Sequence, residues 1–342
     1  MRVITYYNNK DVRLEERPRP KIGKGELLVK VEAAGICGSD VMEWYRVSKS
    51  PRILGHEIAG EIVEVGAGIE KYKKGDRIAA SHHVPCYECH YCRLGHHTLC
   101  DLIHQTNFDP GGFAELIRIP AINVRHGIYP LPDHVSSEEA TLIEPLACTV
   151  RAQRRAAIRK EQTVMVVGSG LAGLLHIILA KINGATRVFT SDLNPYRLEA
   201  ARRFGADEVF HADHNLGHQL KRANENRLAD VVIICVGAEA ATLQSFDLVD
   251  RGGTILYYAP VSPAQIVPLR MNPVFWQQGA TLLSSYAASP EDHHEALRLI
   301  AEGRVPVKDL ITHRLGFSEA SHAFSLVSQA NDSLKVILDP SR

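Results

Sequence analysis

The sequence predicts an α/β protein in which a β-rich domain is interrupted by a second domain with a doubly wound parallel sheet. Residues 1–145 alternate short β-branched runs with glycine and proline, as in ELLVKVEAAGICG and IAGEIVEVG, which is typical of small antiparallel sheets or a barrel. From about Glu161, nearly continuous apolar strands such as TVMVVG and DVVIICVG alternate with helical segments, as expected for a parallel sheet buried on both faces. The β texture returns after about Tyr286, so we expect the middle domain to be an insertion.

The length of the chain also favours two domains, because 342 residues exceed what one ordinary core holds. We expect the first domain to comprise residues 1–148 and 286–342, and the inserted domain to comprise residues 149–285. In the middle domain, helices are predicted from Leu171 to about Asn183 and from Pro195 to about Phe204. After Tyr286 we expect one helix, PEDHHEALRLIAEG, followed by β structure that ends in LKVILDP.

Composition and charge exclude several classes of function. Lys+Arg and Asp+Glu both number 39, so the chain has no basic footprint for nucleic acid or an anionic membrane surface. No apolar run approaches the roughly 18 residues of a membrane span. The sequence also lacks the pattern of a secretory signal peptide, so we expect a cytoplasmic protein with reduced cysteines.

Four of the seven cysteines form a compact pattern in PCYECHYCRLGHHTLC, within a lobe of about residues 84–102. Four thiolates at such spacings fill every position of a tetrahedral zinc ion and leave none for a substrate. Disulfides are disfavoured in a reducing compartment, and no neighbouring feature suggests the electron transfer of an iron–sulfur cluster. The sequence therefore predicts a structural zinc held by Cys86, Cys89, Cys92 and Cys100.

A glycine-rich turn in VMVVGSGLAGLLHIILAK places Gly168, Gly170 and Gly173 between a strand and a helix. In this context GxGxxG predicts a Rossmann dinucleotide site, with the pyrophosphate at the positive end of the helix. Asp192 ends the next strand, where an acid accepts hydrogen bonds from the adenosine ribose and repels a ribose phosphate, which favours NAD over NADP. Alternatively, Asp192 caps the following helix. Arg197 is placed either to bind such a phosphate or to stack on adenine.

A second set of potential metal ligands remains. Cys37 lies in GICGSD, His56 and Glu57 lie in LGHEIAG, and Glu144 lies in IEPLACTV. One sulfur, one nitrogen and one or two carboxylates make a ligand set suited to a catalytic zinc ion with an open position.

Motifs along the whole chain carry a resemblance to a known family: GICGSD, GHEIAGEIVEVG, the four-cysteine lobe, GGFAEL, EPLAC, GSGLAG and SSYAASPEDHHEAL. They resemble those of the zinc-dependent medium-chain dehydrogenases, most closely the polyol (sorbitol-like) and threonine dehydrogenase branch. The resemblance covers essentially the whole chain. It implies a GroES-like catalytic domain made of the two ends of the chain, with the active site in the cleft beside the Rossmann domain. It further implies that Cys37, His56 and either Glu57 or Glu144 hold the catalytic zinc.

Proton transfer is where the chain departs from many of these relatives. Ser39 matches the hydroxyl that takes the alcohol proton in the family, although a serine in GSDV is also typical of a helix N-cap or turn. Met42 stands where many relatives carry a histidine that passes the proton to water. The proton could instead leave through the cofactor ribose and water, or through Glu144 or Glu57 as a general base.

The resemblance implies an enzyme that oxidises a secondary alcohol of a polyol, sugar alcohol or cyclitol with NAD. The alternatives are an L-threonine 3-dehydrogenase, a simple secondary-alcohol or butanediol dehydrogenase, and, from another class, a non-enzymatic nucleotide-binding structural protein. Large aromatic residues either line the substrate cleft or serve in packing: Trp44, Tyr45, Phe108 and Trp276. An edge strand in QGATLLSS could pair across a twofold axis, so we expect a homodimer or homotetramer.

Overall fold

The structure, a computed structural model, describes all 342 residues and divides into two compact units. We call Met1–Ala147 together with Ala287–Arg342 the discontinuous unit, and Cys148–Tyr286 the central unit.

The strands are, in chain order, β1 (Arg2–Asn8), β2 (Asp11–Glu16), β3 (Leu27–Gly35), β4 (Arg52–Ile53), β5 (Glu57–Val65), β6 (Arg77–Ala80), β7 (Leu116–Ile119), β8 (Ile128–Pro130), β9 (Thr163–Val167), β10 (Arg187–Asp192), β11 (Glu208–His211), β12 (Ala229–Ile234), β13 (Val249–Tyr257), β14 (Thr281–Ser284), β15 (Ile311–Gly316) and β16 (Lys335–Asp339).

The α-helices are α1 (Glu43–Arg46), α2 (His90–Arg93), α3 (Ala121–His126), α4 (Ser137–Ala140), α5 (Ile143–Ala156), α6 (Leu171–Ile182), α7 (Pro195–Arg203), α8 (Leu216–Ala223), α9 (Glu239–Ser245), α10 (Pro290–Ala301), α11 (Val307–Leu310) and α12 (Ala320–Gln329). Short 3₁₀ helices cover Gly38–Val41, Val47–Lys49, His97–Leu99, Asp101–His104 and Phe317–Glu319, and a π-helix covers Met271–Gln277. None of these helices combines the length and the apolar character that a bilayer span requires.

The discontinuous unit contains the predicted small sheets. A three-stranded sheet has the order β2-β1-β4, and a seven-stranded sheet has the order β15-β16-β3-β5-β6-β8, with β7 also pairing with β3. Strand β16, from the end of the chain, pairs antiparallel with β3, so the two segments of this unit share one sheet. The core of the unit includes the fully buried rings of Tyr6, Phe113, Phe317 and Phe324.

The prediction of a single helix after Tyr286 is wrong, because α11 and α12 follow α10 in this segment. In α12 the buried residues are Ala320, Ala323 and Phe324. Spacings of three and four place them on one helical face. The small size of the two alanines made this periodic signal weak in the sequence.

The central unit is the predicted doubly wound domain. Its six strands follow the order β11-β10-β9-β12-β13-β14, and each neighbouring pair is parallel. Counted from its own first strand, this order is 3-2-1-4-5-6, that of the Rossmann fold. All five residues of β9 are buried, as the continuous apolar run predicted. The carboxyl end of β9 therefore leads into the glycine turn at the point where the strand order reverses.

Candidate metal centres and nucleotide loop

The four lobe cysteines converge on one point. Their sulfur atoms all lie within 4.8 Å of one another, and none of these cysteines forms a disulfide. The backbone N–H groups of Glu88 and Cys89 donate to the Cys86 sulfur at 3.4 and 3.2 Å. These hydrogen bonds lower the pKa of the Cys86 thiol to about 7, which favours the thiolate that binds zinc. Four converging sulfurs fit the predicted zinc cage.

A second group brings Cys37, His56 and Glu57 together, with one ligand atom from each inside a 4.8 Å radius of the others. Cys37 follows β3 and caps the 3₁₀ helix Gly38–Val41, because its sulfur accepts from the Ser39 N–H at 3.4 Å. His56 directly precedes β5, and Glu57 is the first residue of that strand. Sulfur, imidazole and carboxylate from two strand ends thus meet in the way that a three-ligand catalytic zinc site requires.

The carboxylate of Asp40 lies beside the imidazole of His56. This carboxylate is fully buried, lies 3.6 Å from His56 Nδ1 and accepts from the Cys37 N–H at 3.1 Å. Burial lowers the pKa of His56, but the negative charges of Asp40 and Cys37 outweigh it and raise that pKa well above its usual value. A carboxylate beside Nδ1 leaves Nε2 for a metal, which is the usual arrangement around metal-binding histidines. Asp40 is not among the site residues predicted from the sequence, and only its position in GICGSD offered a signal.

Glu57 carries an anionic oxygen that fits a cation. One oxygen, Oε2, pairs with the ammonium group of Lys335, while Oε1 is buried without a hydrogen-bond partner. A buried carboxylate oxygen without a partner is costly unless it binds a metal or another donor. The donor set therefore fits the zinc ion that the sequence implied.

Glu144 lies close by but outside this group of three. It belongs to the first turn of α5, is half-buried, and lines a narrow cavity together with Glu57. Its negative charge contributes to the raised pKa of His56. Of the two carboxylates left open by the sequence, the structure groups Glu57 with Cys37 and His56.

Ser39 is half-buried beside these ligands. It is not the helix cap that the alternative interpretation suggested, because that position belongs to Cys37. The Ser39 hydroxyl accepts a hydrogen bond from Arg46 Nη2 at 3.0 Å, and its carbonyl accepts from Arg46 Nε at 2.8 Å. Met42 follows the same 3₁₀ helix and is also half-buried. Residue spacing alone does not indicate the contact between Ser39 and Arg46.

The glycine turn has the geometry that a phosphate loop needs. Gly168 has φ of +96°, a conformation that side chains rarely adopt, and Gly170 is the N-cap of α6. A Cβ atom at Gly173 would lie 1.9 Å from the Gly168 carbonyl oxygen, so only glycine fits there. These are the tight turn and the close helix packing expected of a dinucleotide loop.

Asp192 ends β10, and its carboxylate accepts hydrogen bonds from the backbone of this turn and of the segment before α7. Its Oδ2 atom accepts from the Ser169 N–H at 2.7 Å, and its Oδ1 atom accepts from the Asn194 N–H at 2.9 Å. The interpretation of Asp192 as the cap of α7 is wrong: Asn194 holds that position and accepts from the Tyr196 N–H. The side chain of Arg197 extends toward the loop, with its guanidinium carbon 3.7 Å from where a Cβ of Gly170 would stand.

The four candidate aromatic residues have different surroundings. Phe108 is 3% exposed and belongs to the core of the discontinuous unit. Trp44 and Tyr45 lie at the surface of the same unit, and Trp276 of the central unit is 79% exposed. Of the four, Phe108 is the one that belongs to a hydrophobic core.

Comparisons with known proteins cover the whole chain. Residues 23–133 match the alcohol dehydrogenase GroES-like domain, and residues 172–302 match the zinc-binding dehydrogenase family. The chain is 31% identical to sorbitol dehydrogenase of Bacillus subtilis strain 168, covering 100% of this chain and 98% of the relative. It is 32% identical to L-galactonate-5-dehydrogenase of Escherichia coli K12, covering 95% and 94%. Among solved structures, the alcohol dehydrogenase rspB of Escherichia coli CFT073, complexed with NADH, matches with a TM-score of 0.88 at 26% identity over 99% of both chains.

Proposed function

Because the chain belongs to the zinc-dependent medium-chain dehydrogenases, in the branch of the polyol and threonine dehydrogenases, we propose that it oxidises a secondary alcohol of a polyol to a ketone. It is a zinc- and NAD-dependent alcohol dehydrogenase. The observation that carries the proposal is the Cys37, His56 and Glu57 group, with the buried, open oxygen of Glu57. In this proposal the discontinuous unit is the catalytic domain and the central unit is the NAD domain.

We assign the catalytic zinc to Cys37, His56 and Glu57, with Glu144 as the neighbouring acid that can replace Glu57. The structural zinc belongs to Cys86, Cys89, Cys92 and Cys100. When bound, the catalytic zinc lowers the pKa of the alcohol hydroxyl, and NAD takes up the hydride. Asp40 keeps His56 in the tautomer that leaves Nε2 free for the metal.

Ser39 is the hydroxyl that we assign to accept the alcohol proton. It neighbours Cys37 in the chain, and a hydroxyl can accept one proton while it donates its own. Arg46 occupies one lone pair of the Ser39 oxygen, so the second lone pair and the O–H remain for proton transfer. With Met42 in place of a histidine, no imidazole follows Ser39 at that position of the chain.

The nucleotide is assigned to the glycine turn and to the end of β10. The Gly168, Gly170 and Gly173 turn admits the pyrophosphate at the N-terminus of α6. Each carboxylate oxygen of Asp192 accepts one backbone hydrogen bond and keeps a further lone pair for a ribose hydroxyl. Arg197 lies beside this turn, where it can contact the adenosine part of the cofactor.

The polyol class rests on two of the relatives, a sorbitol dehydrogenase and an L-galactonate-5-dehydrogenase. Adjacent hydroxyl groups can also chelate one metal ion, which favours a vicinal diol, as in sugar alcohols and cyclitols. L-threonine and simple secondary alcohols such as butanediol are the alternatives that the branch offers.

A substrate panel tests this proposal. Purified protein is assayed for NAD reduction with sugar alcohols, aldonates, cyclitols, L-threonine and butanediol, and we expect the highest kcat/KM for a polyol. The His56→Ala variant should lose turnover while it still binds NADH, because the nucleotide is held by the central unit. Turnover by a zinc-free His56→Ala protein would contradict the assignment of the metal site.

We further propose that the protein works as a homodimer or homotetramer in the cytoplasm. Strand β14 is an edge strand of the six-stranded sheet and exposes most of its residues, including Leu282 at 40%. Unpaired edge strands are ready sites for pairing between two copies. None of the seven cysteines forms a disulfide, which suits a reducing compartment. Light scattering during gel filtration measures the oligomeric state directly.

A further inference from the structure

Arg46 binds the groups around the proposed proton acceptor at three points. Its Nε atom donates to the Ser39 carbonyl at 2.8 Å, and its Nη2 atom donates to the Ser39 hydroxyl at 3.0 Å. The same Nη2 lies 3.3 Å from Oδ1 of the buried Asp40, the oxygen that faces His56. The side chain of Arg46 is only 14% exposed, so these contacts are largely shielded from water.

The geometry of these hydrogen bonds from Arg46 restrains the Ser39 side chain. A guanidinium group is planar and presents its donors in a fixed fork, so two hydrogen bonds to the carbonyl and hydroxyl of one residue restrict rotation of that hydroxyl. A serine hydroxyl has one donor and two acceptor sites. Because Arg46 fills one acceptor site, the O–H and the other lone pair are confined to the remaining directions.

We propose that Arg46 is a positioning residue that holds the Ser39 hydroxyl in the one orientation from which it accepts the alcohol proton. This inference rests on the proposed role of Ser39. Arg46 does not carry the proton itself, because a guanidinium keeps its proton in proteins. Its contact with Asp40 places a positive charge beside a fully buried carboxylate, and the cobalt spectrum described below separates that contact from the one with Ser39.

Loss of the hydrogen bonds from Arg46 should lower kcat and leave the binding of alcohol, NADH and zinc unchanged. We expect Arg46→Ala to lower kcat by about 10- to 100-fold, the range for lost support of a reacting group. KM for the alcohol, the NADH dissociation constant and the zinc content should stay unchanged. Arg46→Lys keeps the charge beside Asp40 but loses the planar fork, so it should fold well and remain impaired. Added guanidinium ion should restore part of the activity of Arg46→Ala and none of that of Arg46→Lys.

A double-mutant cycle then tests whether Arg46 acts through Ser39. In the Ser39→Ala background, Arg46→Ala should cause little additional loss, because the hydroxyl that it positions is gone. Cobalt-substituted Arg46→Ala should keep the visible absorption spectrum of the native site, since the metal ligands are unchanged. Arg52→Ala, which removes an exposed arginine of β4, is the matched control and should behave like the native protein.

The outcomes separate this inference from the proposed function. If Ser39→Ala turned over at the native rate, the assigned role of Ser39 would be wrong, and the inference would fail with it. If Ser39→Ala were impaired but Arg46→Ala were fully active, or if the two losses were additive, the inference alone would be overturned. An altered cobalt spectrum in Arg46→Ala would likewise overturn it, because Arg46 would then act on the metal ligands through Asp40.

Discussion

The carboxylate of Glu57 and the ammonium group of Lys335 form an ion pair in which both side chains are completely shielded from solvent. Lys335 Nζ also donates to the Ile36 carbonyl at 3.2 Å, one residue before Cys37. Lys335 begins β16, which belongs to the segment that follows the central unit. The end of the chain therefore supplies the counter-charge for a carboxylate of the proposed metal site.

Removal of Lys335 should be strongly destabilising. Lys335→Met leaves the Glu57 carboxylate buried without its partner, and loss of one member of a buried pair costs about 3–5 kcal/mol in free energy of unfolding. Glu57→Gln combined with Lys335→Met should recover most of that loss, since the carboxylate that lost its partner is then gone as well. Urea unfolding of the three proteins measures the difference.

Lys308→Met, at an exposed lysine of α11, is the control for loss of a positive charge and should leave the free energy of unfolding unchanged. A Lys335→Met protein as stable as this control would show that Glu57 is neutral or otherwise compensated.

The sequence predicted the parts of the site that are local in the chain and missed those that are not. The cysteine lobe and the glycine turn each lie within about one loop, so residue spacing alone indicated their geometry. Lys335 lies 278 residues from Glu57, and no spacing rule connects them. Asp40 and Arg46 are nearby in sequence, but their roles depend on how the 3₁₀ helix Gly38–Val41 and helix α1 bring them to Ser39 and His56.

The cysteine lobe should hold one zinc ion independently of the second site. Cys100 is 1% exposed and contributes one of the four converging sulfurs. Cys100→Ser should therefore reduce the zinc content from about two ions to about one per chain and lower the thermal midpoint, because metal binding stabilises only the folded lobe.

Metal analysis and a thermal melt of freshly prepared protein check this. Cys235→Ala changes a half-buried cysteine of the central unit and should keep both zinc ions. An unchanged zinc content in Cys100→Ser would exclude the four-sulfur cage.

His176 should make the protein less stable in acid. It is buried on α6, and burial lowers its pKa from 6.5 to about 3. As the pH falls below about 6.5, the unfolded chain binds a proton that the folded chain does not, so stability falls by about 1.4 kcal/mol per pH unit until the folded pKa is reached. In His176→Gln, the loss of stability between about pH 7.5 and about pH 5 should be smaller by about 2 kcal/mol.

Urea unfolding at both pH values provides the measurement. His218→Gln, at an exposed histidine of α8 in the same unit, is the control and should retain the native pH dependence. Equal pH dependence in His176→Gln and the native protein would mean that other groups cause the acid sensitivity.

Asp192 should determine the preference for NAD over NADP. Its carboxylate ends β10 and accepts the Ser169 and Asn194 N–H groups, so a ribose placed there meets a negative charge fixed by the loop itself. Asp192→Asn keeps an acceptor for the loop but removes the charge that repels a ribose phosphate. Because hydrogen bonds to charged groups contribute about 1.5–3 kcal/mol, the ratio of kcat/KM with NAD to that with NADP should fall by about 10- to 100-fold.

Arg197 provides the complementary test, because its guanidinium lies beside Gly170 and its Nε atom is buried without a hydrogen-bond partner. If Arg197 binds the added phosphate once the carboxylate is gone, Arg197→Ala in the Asp192→Asn background should lower kcat/KM with NADP more than with NAD. Arg203→Ala, at the exposed end of the same helix, should change neither kcat/KM with NADP nor kcat/KM with NAD. A native protein that prefers NADP would show instead that Arg197 dominates over Asp192, and the carboxylate would then serve mainly to brace the loop through Ser169.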